Sequence, residues 1–188
     1  MSPILGIWAS QNYPRITSSY ESIATVTVGS GGSANIEFTS IPTDYKHLQI
    51  RVITRSTRSA ANSNIYLGFN NDTTTGNYYG HYLSGDGSSA GAGAKIGSTT
   101  SAIIVSAAAT STSSVFTGAV IDILDYTNTN KYKTSRSLNG YDTNGDGRIF
   151  FMSGLWMNTN AISSIQITDA LGSFAQYSSF ALYGIKGA

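Results

Sequence analysis

The chain has 188 residues, a formal net charge of +1, and only 11% charged residues. This length suits one domain that buries roughly 70% of the surface exposed by the unfolded chain. Nucleic acid is not expected as a partner, because phosphate binding needs clustered lysine and arginine. Absence of cysteine excludes disulfides and thiolate metal sites. No apolar run approaches the ~20 residues of a membrane span, so no membrane partner is expected.

The first 20 residues differ from the rest. They hold two of the three prolines, Pro3 and Pro14, and show no regular alternation of apolar and polar residues. The sequence predicts an extended N-terminal arm over residues 1–20; an ordinary first strand packed into the core is the alternative. The residues expected to anchor the arm on another subunit are Ile4, Leu5, Ile7 and Trp8.

Period-two alternation dominates the chain from residue 21 onward. Val26 and Val28 alternate with threonines, and Ile36 and Phe38 alternate with polar residues after a Gly-Ser turn. This pattern predicts half-buried strands, and their number and spacing predict a single all-β, jelly-roll-like β-sandwich over residues 21–188. Eleven segments are candidates for about ten strands, with one or two expected to be mis-assigned: 23–28, 34–39, 45–54, 64–70, 77–83, 102–106, 115–124, 131–138, 148–156, 161–168 and 177–185.

The apolar members of these strands give a predicted core, and one segment stands outside the strands. Residues 84–94 are rich in glycine, serine and alanine, which predicts a mobile surface loop, with a binding loop as the alternative. The predicted core residues are Val26, Val28, Ile36, Phe38, Leu48, Ile50, Val52, Leu67, Phe69, Ile121, Ile123, Ile165, Ile167, Phe180 and Leu182.

One short motif resembles the start of a calcium-binding loop. Asp142, Asn144 and Asp146 follow the pattern D-x-N-x-D-G, in which alternate oxygens can surround Ca²⁺. The closing glutamate is absent, because that position is Ser153. Asp-rich turns with glycine are also ordinary hairpin chemistry. We therefore expect no required metal and treat these residues as a weak calcium candidate.

No catalytic constellation is evident, and the chain is not expected to be an enzyme or to need a cofactor. The two histidines, His47 and His81, are best explained by surface or packing roles. The tyrosines and tryptophans could bind sugars or proteins, but packing between sheets explains most of them better. The densest basic group consists of Arg51, Arg55 and Arg58, which suits a charged contact between subunits.

Several phrases, spread over most of the chain, resemble a group of small virion proteins from tailed bacteriophages, including phages of cyanobacteria. They are SPILGI at 2–7, YESIATVTVG at 20–29, IPTDYKHLQIR at 41–51, DYTNTNKYK at 125–133, SGLWMNTN at 153–160 and FALYGIKG at 180–187. The phrases carry no catalytic motif, so the resemblance implies where the protein works and transfers no functional residues.

The resemblance implies a structural protein of the virion. The expected role is capsid decoration (cement), in which the protein binds the outer shell of the virion. The expected partners are the major capsid protein or other virion proteins, the expected oligomer is a homotrimer, and synthesis is expected in the host bacterial cytoplasm. The alternative is the head domain of a tail fibre or spike that binds host glycan. A fibre normally adds a long repetitive shaft, and this sequence has none. Copy number per particle would separate the two.

Overall fold

The computed structural model describes residues 18–187, which form twelve β-strands and no helix. The strands are β1 (Tyr20–Thr27), β2 (Asn35–Phe38), β3 (His47–Thr54), β4 (Asn62–Phe69), β5 (Tyr78–Gly85), β6 (Ala90–Ser98), β7 (Ser101–Ala107), β8 (Thr117–Leu124), β9 (Lys133–Asp142), β10 (Gly147–Trp156), β11 (Ile165–Asp169) and β12 (Ser179–Ile185).

The strands form two antiparallel sheets. The larger has eight strands in the order β1-β12-β3-β8-β9-β10-β5-β6, and the smaller has four in the order β2-β11-β4-β7. The predicted all-β, jelly-roll-like sandwich is thus confirmed at the level of two packed antiparallel sheets. The predicted arm lies almost wholly outside the described residues. Because β1 begins at Tyr20, the first sheet starts one residue before the predicted domain boundary.

The core lies between the sheets. Alternation in β3 turns Leu48, Ile50 and Val52 inward, and all three are buried. Every predicted core residue is buried except Val26, which is partly buried and packs against the core. A group of three aromatic side chains was not predicted. Its members are Phe69, Tyr78 and Trp156, whose neighbouring ring centroids lie 5.4–6.4 Å apart.

The predicted mobile loop at 84–94 is wrong. Asp86 accepts hydrogen bonds from the backbone N–H groups of Ser88 (3.0 Å) and Ser89 (2.7 Å), which fixes a tight turn. The chain then returns as β6, paired with β5. Alanine and glycine alternate along the first half of β6, which is the edge strand next to β5. The strand therefore has the period of two that a sheet requires, but both of its faces carry small side chains. Composition alone concealed that alternation.

The free edge of the smaller sheet is closed by side chains of the larger one. In β7, the Val105 N–H donates to Asn139 Oδ1 (3.0 Å) on β9. The carbonyl of Ile103 accepts hydrogen bonds from Asn139 Nδ2 and Ser137 Oγ. Buried polar side chains of β9 thus pair backbone groups that an edge strand would otherwise leave unpaired.

Candidate interaction surface

The face of the larger sheet that points away from the smaller sheet carries an unusual set of exposed apolar side chains. We call this the outer face. Six large apolar side chains on five adjacent strands are 40–61% exposed there. We call them the outer strip: Ile53, Val120, Leu138, Ile149, Phe151 and Leu83. Contiguous exposed apolar surface of this kind marks interaction sites in soluble proteins.

Strand register arranges the outer strip in two parallel rows. Val120 pairs with Leu138, Leu138 with Phe151, and Phe151 with Leu83, so these four form one bulky row across β8, β9, β10 and β5. The neighbouring row consists of two isoleucines and three glycines. Its order across the strands is Ile53, Gly118, Gly140, Ile149 and Gly85. A ridge therefore lies beside a shallow channel.

The channel belongs to an open depression of about 1280 Å³. Its floor is largely backbone, because glycines line it on four strands. It is also lined by Asp86 and Asp146, which lie in two tight turns, and by Asp142 at the end of β9. Residues 18–187 include no group of three His, Cys, Asp or Glu side chains placed to hold a metal ion.

A hydrogen-bonded polar group borders the other side of the outer strip. Gln49 Nε2 donates to Asp122 Oδ1 (2.9 Å), and Arg51 Nε donates to Gln49 Oε1 (3.2 Å). The Arg51 guanidinium lies 5.5 Å from the ring centroid of Tyr183 and 6.0 Å from that of Tyr20. An apolar centre with an ordered polar border is the usual anatomy of a protein–protein interface.

The three arginines predicted to form one basic cluster have different hydrogen-bond partners. Arg51 is exposed on the outer face. The guanidinium of Arg55 donates to the backbone carbonyls of Ser111, Thr112 and Val115, so it fixes the loop before β8. Arg58 donates to the carbonyl of Asn62 (3.3 Å). Of the three, Arg51 is the one available on the outer face. Four further predicted contact residues lie outside the described residues: Ile4, Leu5, Ile7 and Trp8.

The calcium-like motif forms a hairpin turn between β9 and β10. Asn144 and Gly145 have positive φ angles of 58° and 112°, and the Thr143 N–H donates to the Asp146 carbonyl (2.7 Å). These features identify a two-residue type I′ turn, for which Asn-Gly is the preferred sequence. The turn geometry therefore accounts for the Asn-Gly of this motif without a cation.

The two histidines occupy different settings. His81 is exposed on β5. His47 Nδ1 accepts a hydrogen bond from the Asp125 N–H (2.9 Å). Hydrogen bonds from Lys131 and Lys46 to the Asp125 carboxylate lower its pKa to about 2. Within residues 18–187 neither histidine hydrogen-bonds a serine hydroxyl, so that part of the chain shows no serine–histidine pair.

A buried lysine joins two loops at the end of the sandwich where β9 begins. Lys133 is 1% exposed, and its Nζ donates to three backbone carbonyls: those of Asn128 (2.7 Å), Lys131 (3.1 Å) and Thr159 (2.9 Å). Burial lowers its pKa, and the charge of Lys131 adds to that effect. All three donors of the ammonium are used, so its role is structural.

Sequence reasoning missed the outer strip, although a signal for it is present. β10 contains Ile149, Phe150, Phe151 and Met152 in succession, and β8 contains Ala119, Val120 and Ile121. A continuous apolar run indicates a strand that is covered on both faces. In the structure the smaller sheet covers only one face of the larger sheet. Within the described residues the other face of the larger sheet is uncovered, and the apolar runs in β8 and β10 point to that face.

Comparison with known proteins leaves the family open. No protein-family model and no curated protein matches the chain. Among solved structures, a legume lectin-like domain from Entamoeba histolytica has a TM-score of 0.25 at 12% identity, over 89% of this chain and 90% of that one. A fructofuranosidase from Schwanniomyces occidentalis has a TM-score of 0.22 at 6% identity, over 93% and 35%. These scores are too low to support a shared fold or function. Within residues 18–187 no helix has the length and hydropathy to cross a membrane.

Proposed function

We propose that this protein is a structural component of a tailed-phage virion, a capsid decoration protein that binds the outer shell and stabilises contacts between capsid subunits. The outer strip carries the proposal that this protein associates with other protein chains, and the contact with the shell itself is assigned to the end of the sandwich near Ser19. A sandwich with an apolar outer face and few charges is built to associate with protein. The sequence resemblance to small virion proteins supplies the setting.

The chemistry of the outer strip favours a protein partner over a glycan. Five of its six side chains are aliphatic, and Phe151 is the one aromatic member. Sugars are bound by flat aromatic rings beside polar groups, whereas aliphatic side chains gain from burial against other apolar side chains. The alternative role as a glycan-binding tail adhesin therefore has weaker support.

Five of the six segments that carry the resemblance meet at one end of the sandwich. We call it the arm end, because the Lys186 N–H donates to the Ser19 carbonyl there (3.0 Å) and residues 1–17 precede this point. The segments are joined by hydrogen bonds from Tyr45 to Glu21, Tyr126 to Pro42, Lys133 to Thr159 and Lys46 to Ile185. We expect this end to face the shell, with homotrimers on the particle.

In this proposal the apolar anchors Ile4, Leu5, Ile7 and Trp8 bind a neighbouring subunit. Full burial of such a side chain contributes roughly 1.5–3 kcal/mol. Ordering a backbone residue costs about 1–2 kcal/mol, so several anchors must engage together. The resulting attachment depends on the whole set rather than on one residue.

The test is occupancy on purified heads, measured with the full chain and a variant in which the four anchors are replaced by serine. A matched control replaces Ser10, Gln11 and Asn12 by alanine. We expect the anchor variant to remain folded and to lose most of its occupancy, and the control to bind normally. Equal occupancy of all three proteins, or no binding of the full chain to heads, would overturn the proposal.

A further inference from the structure

We propose that the outer face binds a second copy of this chain, face to face, across a twofold axis that crosses the strands at right angles. The axis would pass over the cross-strand row that contains Val52, Ala119, Asn139, Phe150 and Ser84, which are paired neighbours in the sheet. In a twofold contact both copies use the same patch. A residue on one side of the axis row in one copy therefore faces the residue that lies equally far on the other side of that row in the second copy.

This axis places bulky side chains over glycines. On β8, Val120 of one copy faces Gly118 of the other. On β9, Leu138 faces Gly140. On β5, Leu83 faces Gly85. The large residues and the glycines lie two positions apart on the same strands, and the axis row lies midway between them. On β10 the same axis sets Phe151 against Ile149, and on β3 it sets Arg51 against Ile53, so a large side chain of one copy lies over a glycine of its partner on three of the five strands.

The contacts within one chain do not explain two of these glycines. A Cβ at Gly118 would meet nothing within 4 Å, and at Gly85 it would make only ordinary contacts of 3.8 Å. Neither has a positive φ angle. Glycine inside a strand costs stability and often marks close approach of another backbone. Gly140 differs, because a Cβ there would lie 2.7 Å from the Arg148 carbonyl oxygen.

Charge complementarity supports the same axis. Arg136 and Asp142 point to the outer face of β9 on either side of Asn139 on the axis row, each three residues from it. Both are exposed, and within residues 18–187 neither forms an ion pair of 4 Å or less. The twofold axis sets Arg136 of one copy opposite Asp142 of the other, and it does so twice per pair of copies.

The available area is adequate for a stable contact. Six large side chains that are about half exposed present on the order of 500 Å² of apolar surface. With the polar residues around them, each copy approaches the roughly 800 Å² per partner that a standard interface buries. The inference goes beyond shell binding, since it predicts that two copies of the chain associate through their outer faces. This association should occur in the purified protein, and on the particle it could connect one trimer to the next.

The first test is Gly118→Val, with molecular mass measured by light scattering at high protein concentration. The full chain should have an even number of copies, about 40 kDa for a dimer of the 19.8 kDa chain. Gly118→Val should halve that mass. The variant should fold at least as well as the original, because valine suits a strand and its Cβ has open space. Asn64→Val, exposed on the smaller sheet, is the matched control and should leave the mass unchanged.

The second test reverses charges. Arg136→Asp and Asp142→Arg should each weaken the association at least tenfold, and the double variant should restore it. A monomer for the full chain at high concentration, an unchanged mass for Gly118→Val, or failure of the double variant to recover would each overturn the inference. Failure here leaves shell binding untouched, because occupancy on heads is measured separately.

Discussion

Asn139 offers a direct test of how the two sheets are held together. Its side chain lies on β9, is 2% exposed, and closes the free edge of β7. Asn139→Ala removes the oxygen that accepts from the Val105 N–H and the amide that donates to the Ile103 carbonyl. The Ile103 carbonyl keeps its hydrogen bond from Ser137 Oγ, whereas the Val105 N–H is left without a partner.

The expected cost follows from these contacts. A buried donor left unpaired costs about 1–3 kcal/mol, and the lost hydrogen bond to Ile103 contributes about 1 kcal/mol. Truncation also leaves a small cavity, whose cost depends on how far the sheets relax. We predict that Asn139→Ala lowers the free energy of unfolding by about 2–4 kcal/mol, which corresponds to a fall in Tm of roughly 5–15 °C.

The assay is equilibrium unfolding in urea, combined with amide hydrogen exchange at Val105. The control is Thr134→Ala on the same strand, which is exposed on the opposite face and should change stability by under ~0.5 kcal/mol. Exchange at Val105 should accelerate in Asn139→Ala and not in the control. A stability for Asn139→Ala within ~0.5 kcal/mol of the original chain would refute the reasoning.

Three further predictions concern single sites. Gly140→Ala should destabilise the fold by about 1–3 kcal/mol, because the added Cβ would meet the Arg148 carbonyl oxygen. Gly118→Ala, at the cross-strand partner of Gly140, should not destabilise the fold, because the added Cβ has open space. Equal effects of the two substitutions in urea unfolding would contradict this prediction. Stability should fall as pH drops from about 4 to 2, because the pKa of folded Asp125 is lowered to about 2 and its ionised form is favoured by folding. Asp125→Asn should flatten that part of the pH profile, and an unchanged slope would count against it. EDTA should leave Tm unchanged, since the Asn-Gly turn and the hydrogen bond from the Thr143 N–H to the Asp146 carbonyl account for the conformation of this loop; a fall of many degrees would show a required metal site.

Much of the sandwich could be predicted from the sequence, because alternation determines which face of a strand is buried. Leu48, Ile50 and Val52 on β3 are examples, and so is the separation of Gln49 and Arg51 onto the outer face. Strand β6 could not be predicted from composition, since its alanines and glycines give no contrast in hydropathy. Its hydrogen bonds to β5, and the Asp86 turn before it, determine its conformation.

The candidate surface was harder to predict, for a physical reason. Ile53, Val120 and Leu138 occupy positions that alternation assigns to solvent, so they resemble isolated exposed residues in the sequence. They become a surface only when strand register aligns them across neighbouring strands. The roles of Arg55 and Arg58 were equally hidden, because both follow β3 and their guanidinium groups donate to backbone carbonyls of neighbouring loops.

The measurement that tests the central proposal most directly is the number of copies per purified phage particle, determined by quantitative mass spectrometry against the major capsid protein. A decoration protein occupies sites over the whole shell, so the proposal predicts hundreds of copies per particle. A handful of copies would contradict it and would place the protein in the tail.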